Sequence, residues 1–120
     1  MDKLITLFSV LSDKTRIRII KLLSKKMCTM FELSEIFGIN DDELKPHIDS
    51  LHHAGLISEV KDGEFVNYFV KGSGAIFDKY TADVLNVIAK HFNSDEIILK
   101  DYTKARMIDR KELAKKRGII

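Results

Sequence analysis

The stretch Thr29-Met30-Phe31-Glu32-Leu33-Ser34-Glu35-Ile36-Phe37-Gly38-Ile39-Asn40-Asp41-Asp42-Glu43-Leu44 holds two helix starts within a dozen residues. Thr29 with Glu32, and Asn40 with Glu43, have the capping-box spacing. In it a side-chain oxygen accepts from an orphan backbone N–H and the residue three places on reaches back. Leu33, Ile36 and Phe37 give the first short helix its buried face. Gly38 ends it, because glycine enters the left-handed conformation at little cost. Leu44, Ile48 and Leu51 line the second helix, which Gly55 stops. Two short helices across a tight Gly-Ile-Asn turn form a helix-turn-helix pattern.

Upstream, Leu4, Leu7, Phe8 and Leu11 fall on one stripe of an amphipathic helix. Asp13 is placed to cap a second helix that turns Ile17, Ile20 and Leu23 inward. Downstream, Asp62-Gly63 separates two β-rich runs, Leu56–Lys61 and Glu64–Val70, a strong hairpin pattern. Gly72-Ser73-Gly74 predicts a flexible joint. From Ala75 to Phe92 the helical period returns, with Ile76, Tyr80, Val84, Val87, Ile88 and His91 on one face and Phe77, Leu85 and Phe92 widening it. That is more apolar surface than one small domain covers, so it predicts a subunit interface beside the first helix. The plainer alternative is a core helix lying against its own domain. Ser94–Met107 reads as a further helix through Ile98, Tyr102 and Ala105, and the last residues read as loosely held. The expected fold is mainly α with a β-hairpin wing. It is a winged helix-turn-helix dimerising through its first and last helices, with residues 1–93 as the domain and 94–120 as a basic extension.

A chain of 120 residues with 45% hydrophobic content builds one core rather than two. No apolar run is long enough to cross a bilayer, and Met1-Asp2-Lys3-Leu4 lacks signal-peptide anatomy. The lone Cys28 makes no internal disulfide, which fits a reducing compartment, so a cytoplasmic protein is expected, with no membrane partner. There is no Gly-rich phosphate loop, no nucleophile spaced to a base and no metal triad, so neither an enzyme nor a cofactor is expected. The net charge of +2 conceals a polarity. Residues 1–99 hold 12 Lys/Arg against 15 Asp/Glu, whereas residues 100–120 hold 8 against 3. The potential that draws in a polyanion is gathered at the C-terminus; a solvated, partly frayed tail is the alternative.

Several segments together resemble the ArsR-type winged-helix repressors, a family of dimeric bacterial and archaeal metal and stress sensors. They are Leu11-Ser12-Asp13-Lys14-Thr15-Arg16-Ile17-Arg18-Ile19-Ile20, Glu32-Leu33-Ser34-Glu35-Ile36-Phe37-Gly38-Ile39, His47-Ile48, Leu51-His52-His53-Ala54-Gly55-Leu56-Ile57 and Phe65-Val66-Asn67-Tyr68. The resemblance lies in their order and spacing over roughly residues 3–92. It implies a homodimer built on the first and last helices, bound to an inverted-repeat operator in double-stranded DNA. Release would come on a signal, with a small-molecule inducer as the candidate. The family's metal sites do not carry over. The Cys-x-Cys positions fall on Thr29 and Phe31, with Cys28 one residue out of register, and the last helix offers His91 without a partner. No metal is expected.

The DNA-binding candidates are Asn40, Asp42, Lys45 and His47 on the reading helix, Lys61 and Asn67 on the wing, and Arg110 and Lys111 on the extension. Lys104, Arg106, Lys115, Lys116 and Arg117 add phosphate affinity there. Asp41, Asp42 and Glu43 suit a helix dipole but repel phosphates, though an Asp can accept from cytosine N4. The alternative function is therefore a winged-helix protein-interaction module with little or no DNA binding. Pro46 removes a helical hydrogen bond at a cost of roughly 3 kcal/mol, which predicts a kink or a shortened helix. Arg16 and Arg18 read as ion pairs between helices more than as phosphate contacts, and His47 also reads as packing. His52-His53 complement the dipole, and as neighbours they diverge too far to chelate. Cys28, beside Lys25 and Lys26 and ahead of a helix N-terminus, is a candidate redox or thiol sensor through a lowered pKa. Its alternative is a small buried hydrophobe. Phe65 and Tyr68 read as hairpin core.

Overall fold

The computed structural model describes residues 1–70 and 78–120. The Gly72-Ser73-Gly74 joint, Ile76 and Phe77 lie outside the described residues. The elements run α1 (Asp2–Leu11), α2 (Lys14–Leu23), α3 (Met30–Phe37), α4 (Asp41–His53), β1 (Ile57–Asp62), β2 (Phe65–Val70), α5 (Lys79–Lys90), α6 (Glu96–Met107) and α7 (Arg110–Lys116). This is the expected winged helix-turn-helix, mostly helical with one two-stranded antiparallel hairpin.

Local chemistry sets most of the helix starts. Asp13 accepts from the Arg16 backbone N–H at 3.0 Å and opens α2. Thr29 and Glu32 form the full capping box, with Thr29 Oγ1 accepting from the Glu32 N–H at 3.2 Å. Glu32 Oε1 accepts from the Thr29 N–H at 2.9 Å. The second box is half made. Asn40 Oδ1 accepts from the Glu43 N–H at 2.8 Å, but Glu43 Oε1 accepts from the Asn40 side-chain amide at 3.2 Å. Gly38 takes φ 68°, the left-handed turn between the two helices.

Pro46 does not shorten α4, which runs from Asp41 to His53, so of the expected kink or shortening the shortening is absent. Leu44 and Ile48, 0% and 2% exposed, hold the helix on both sides of it. The carbonyl left without its donor belongs to Asp42, which is exposed, so water satisfies it. In the wing, Asp62 pairs with Phe65, which leaves Gly63-Glu64 as the two-residue turn. Gly63 has φ 61°, the arrangement of a hairpin turn with glycine at the first central position. At the other end Tyr68 and Cys28 exchange backbone hydrogen bonds of 3.2 and 2.8 Å. The wing is thereby fixed to the segment that leads into α3.

The residues after α5 are not a loose tail. α6 buries Ile98, Asp101 and Ala105 on one face and lies along α2 and α3. Asp101, 2% exposed, accepts two hydrogen bonds of 2.8 Å from the Arg18 guanidinium, which also stacks 4.7 Å from the Phe37 ring centroid. Arg18 is thus the ion pair the sequence favoured. On α7, Leu113 and Ala114 pack with Phe31. Arg110 Nη2 lies 2.8 Å from Glu32 Oε1, and Glu32 is itself only 1% exposed. Lys21, 4% exposed, donates to the Ile88 and His91 carbonyls and to Asn93 Oδ1 at the C-terminal end of α5. Burial, then the neighbouring Lys25 charge, lowers its pKa from the ordinary lysine value.

Cys28 is 0% exposed, and its thiol pKa is pushed up to about 12. Burial is the main cause, the Glu32 carboxylate adds to it, and Lys26 and Arg110 oppose weakly. The lysines and helix start that implied a reactive thiolate are outweighed by desolvation. Phe92, expected to widen the face of α5, instead lies in the turn after it with φ 66° and is exposed.

Two outcomes follow from this packing. Arg110→Ala strands a buried carboxylate and is expected to lower the unfolding free energy by about 2–4 kcal/mol. Lys111→Ala on the outer face of α7 is expected to cost less than about 0.5 kcal/mol; equal losses in denaturant titrations refute the assignment. The native protein at pH 8 is expected to react with a thiol reagent only as fast as it opens, whereas the denatured protein reacts at once. Because folding raises this pKa above the ordinary thiol value, the thiol's contribution to stability is whole below that value and is lost as pH climbs through the folded one. Prompt stoichiometric labelling of native protein contradicts both statements.

Candidate nucleic-acid interface

α4 carries two unlike faces. Leu44, Ile48 and Leu51 are sealed in the core, while Asp42, Lys45, Pro46, Asp49 and His53 are all exposed. The spacing of the exposed set keeps it on one side of the helix. Asn40 caps this helix at its exposed start. Lys45 donates to Asp49 Oδ2 at 2.9 Å, and that bond, with the Asp49 charge, holds its pKa above the ordinary lysine value. The free N–H groups and dipole of the α4 N-terminus favour anions. Asp41, Asp42 and Glu43 stand in the same first turn.

His47 is half-buried and turned toward α2. Its Nδ1 accepts from Arg16 Nε at 3.1 Å and lies 3.9 Å from Asp13 Oδ1. Arg16 Nη1 also donates to the Val10 carbonyl at 3.2 Å, so this arginine joins α2, α4 and the end of α1. Arg16 therefore holds helices together, although through neutral acceptors rather than an ion pair. His52 Nε2 lies 3.8 Å from Glu59 Oε1 and both His52 and His53 are exposed.

On the wing, Lys61 is exposed and sits opposite Val66. Asn67 does not point outward. It is 6% exposed, its Nδ2 is 3.5 Å from Asp62 Oδ2, and its Oδ1 has no hydrogen-bond partner among the described residues. Phe65, on the same strand face, packs against Phe31 with centroids 5.7 Å apart. On α7, Lys111, Lys115 and Lys116 are exposed. Arg110 is engaged: besides Glu32, its Nη1 lies 3.7 Å from Asp62 Oδ2, and its guanidinium sits 5.6 Å from the Phe65 centroid.

The structure therefore gathers Asn40, Asp42 and Lys45 on one exposed helix, with Lys61 and Lys111 exposed on flanking elements. It withdraws His47, Asn67 and Arg110 into internal contacts, and Cys28 into the core. Sequence reading did not find the internal roles of Arg110 and Arg117, whose partners lie about eighty positions away in the chain. The one available signal was Glu32, a carboxylate inside an otherwise apolar helix start.

Comparison with known proteins agrees with this geometry. A family model described as bacterial regulatory protein, arsR family, matches residues 13–59, which contain α3 and α4. The transcriptional repressor SdpR of Bacillus subtilis is 33% identical over 61 residues, covering 51% of this chain and 68% of that repressor. Among solved structures, reduced HlyU from Vibrio cholerae aligns with a TM-score of 0.63 at 17% identity, over 77% of this chain and 90% of that one. NolR from Sinorhizobium fredii aligns with a TM-score of 0.61 at 16% identity, over 76% and 85%. At such identities the two structures speak for the fold alone. With the repressor match spanning two thirds of its relative and the family match centred on the helix-turn-helix, the chain belongs to the ArsR family of bacterial regulatory proteins.

Proposed function

We propose that the protein is a homodimeric transcriptional regulator that binds an inverted-repeat operator and is released by a signal, for which a small-molecule inducer is the candidate. The observation that carries this reading is α4, a helix whose outer face the fold leaves unused while its inner face is fully sealed. Two such helices, placed about 34 Å apart by a two-fold axis, would enter successive major grooves. Asn40, Lys45 and Asp42 are the residues placed to meet base edges, Asp42 as an acceptor from cytosine N4. Lys61, Lys111, Lys115 and Lys116 are placed to meet phosphates.

The dimer is supported by apolar surface on α1 and α5. These helices pack against each other, yet Ile5 and Phe8 are 58% and 56% exposed on one, and Tyr80 and Val87 are 46% and 58% exposed on the other. Val84 and Ile88 fill the domain's own core, so the sequence-expected face of α5 divides between the core and the outside.

A second reading, a winged-helix module for protein partners, is favoured by one observation. α4 carries four carboxylates against one lysine, and that lysine is tied to Asp49. Anisotropy titrations with mixed-sequence duplexes at low salt separate the two, since absence of binding there supports the module.

Replacing Lys111, Lys115 and Lys116 by Gln is expected to weaken binding to all duplexes. It should lower the log–log salt slope by about two to three, since each phosphate contact contributes roughly 0.9. An unchanged slope removes α7 from the phosphate contacts. Phe8→Glu with Val87→Glu is expected to give a folded monomer in sedimentation and to weaken operator binding at least about tenfold through lost bivalency. A dimer that survives both charges places the interface elsewhere.

A further inference from the structure

We propose that α7 is a splint for the DNA-reading unit, and that Arg117 is a positioning residue that acts on recognition through Asp41 and Glu35 rather than through phosphate. The inference rests on the DNA-binding reading above and adds a role for the C-terminal extension. Arg110, Leu113, Ala114 and Arg117 recur at helical spacing and share one inward face. Leu113 and Ala114 seat that face on Phe31 of α3. The two arginines reach different carboxylates from its two ends. Arg110 holds Glu32 of α3 and lies beside Asp62 at the wing.

Arg117 spans the helix-turn-helix. Its Nη2 lies 3.4 Å from Glu35 Oε1 on α3, and its Nη1 lies 3.7 Å from Asp41 Oδ1, the first residue of α4. Nη1 also donates to Ser34 Oγ at 3.3 Å, and Ser34 Oγ donates to the Ile39 carbonyl inside the turn. One guanidinium thus contacts both helices and, through Ser34, the turn between them. Its own position is defined. The Ile119 N–H donates to the Ala114 carbonyl at 2.8 Å, the Gly118 N–H donates to the Lys115 carbonyl at 3.1 Å, and Gly118 takes φ 72°, which closes α7 just beyond Arg117.

The electrostatics give this arrangement a consequence for DNA. A cleft of about 510 Å³ opens between α3, the turn and α4, lined by Glu35, Asp41 and Asp42, with Arg117 as its one cation among the described residues. Phosphates approach a reading helix at this end, where its dipole is favourable and its carboxylates are not. Arg117 offsets the nearest two carboxylates from within the protein and holds the turn at one angle. Lys111, Lys115 and Lys116 are exposed, as Arg117 is, but among the described residues they make no ion pair. The extension therefore serves the interface in two ways, by charge offered outward and by charge spent inward.

The test measures affinity and salt slope for wild type, Arg117→Gln, Asp41→Asn with Glu35→Gln, and the combination, on duplexes selected from a random pool by the wild-type protein. Amide exchange is followed at residues 38–43 without DNA. Arg117→Gln is expected to weaken binding about three- to fivefold, the scale of an exposed ion pair, with a slope changed by less than about 0.3. In the carboxylate-free background its effect should shrink to less than about 1.5-fold. Exchange at the turn should quicken while α5 is unaffected. A slope lowered by about 0.9, with a loss that persists in that background, identifies a direct phosphate contact and overturns the proposal. Unchanged affinity and unchanged exchange overturn it as well. Wild type that binds no duplex at low salt sinks the DNA-binding reading and this role together, a result distinct from failure of the Arg117 variant alone.

Discussion

The carboxylate of Glu32 is the group on which the reading unit depends. It is 1% exposed, and a charge so placed is stable only if paired and hydrogen-bonded. Its Oε1 accepts from the Thr29 N–H, the Thr29 hydroxyl and the Arg110 guanidinium. The first two contacts are local and form as α3 starts. The third comes from 78 positions later and forms only when α7 docks. Docking then places Leu113 and Ala114 on Phe31 and brings Arg110 to Phe65 and Asp62. One buried charge thereby unites a helix start, the wing and the end of the chain. It also contributes to the high pKa of Cys28, whose backbone anchors the wing from the other side.

The same logic explains how the chain's charge asymmetry is used. The sequence showed an acidic body and a basic end, and the simplest use for such an end is to meet a polyanion. In the folded chain the basic residues divide. Arg110 and Arg117 contact carboxylates of α3, α4 and the wing, and Lys104 donates to the Ile36 carbonyl. Lys111, Lys115 and Lys116 remain exposed. Removing the whole extension would therefore confound two effects, lost phosphate contacts and stranded carboxylates, which substitutions on one face of α7 keep apart.

What the sequence made legible was what neighbours in the chain decide. The caps at Asp13, Thr29 and Asn40, the left-handed glycine at Gly38 and the hairpin around Gly63 all follow from contacts within a few residues. The errors share a different origin. Asn67 was expected outward because a polar residue on a wing strand ordinarily faces water. Here α2 and α3 lie against β2, α7 reaches Phe65 at its start, and the strand is at least half-buried along its whole length. Arg110 was misplaced because its carboxylate partners, Glu32 and Asp62, lie far away in the chain, whereas Cys28 took the buried place that was its alternative reading. Pro46 was expected to kink or shorten α4 on propensity alone, and the shortening did not occur. Burial of Leu44 and Ile48 decides the matter, because two sealed side chains outweigh one lost hydrogen bond whose acceptor is hydrated.

α2 joins the reading unit to the apolar α1–α5 face, and it does so with cations. Arg16 reaches His47 on α4, Arg18 reaches Asp101 on α6, and Lys21 reaches the last carbonyls of α5. The three bonds differ in strength. Arg18 has a buried carboxylate in bidentate geometry, the strongest arrangement available to it. Among the described residues Lys21 has no carboxylate as a hydrogen-bond partner, only dipoles at a helix C-terminus and one amide, and burial, with the Lys25 charge, lowers its pKa. Through Lys21 and Arg16 the end of α5, α2 and the outward-facing α4 thus form one continuous set of contacts.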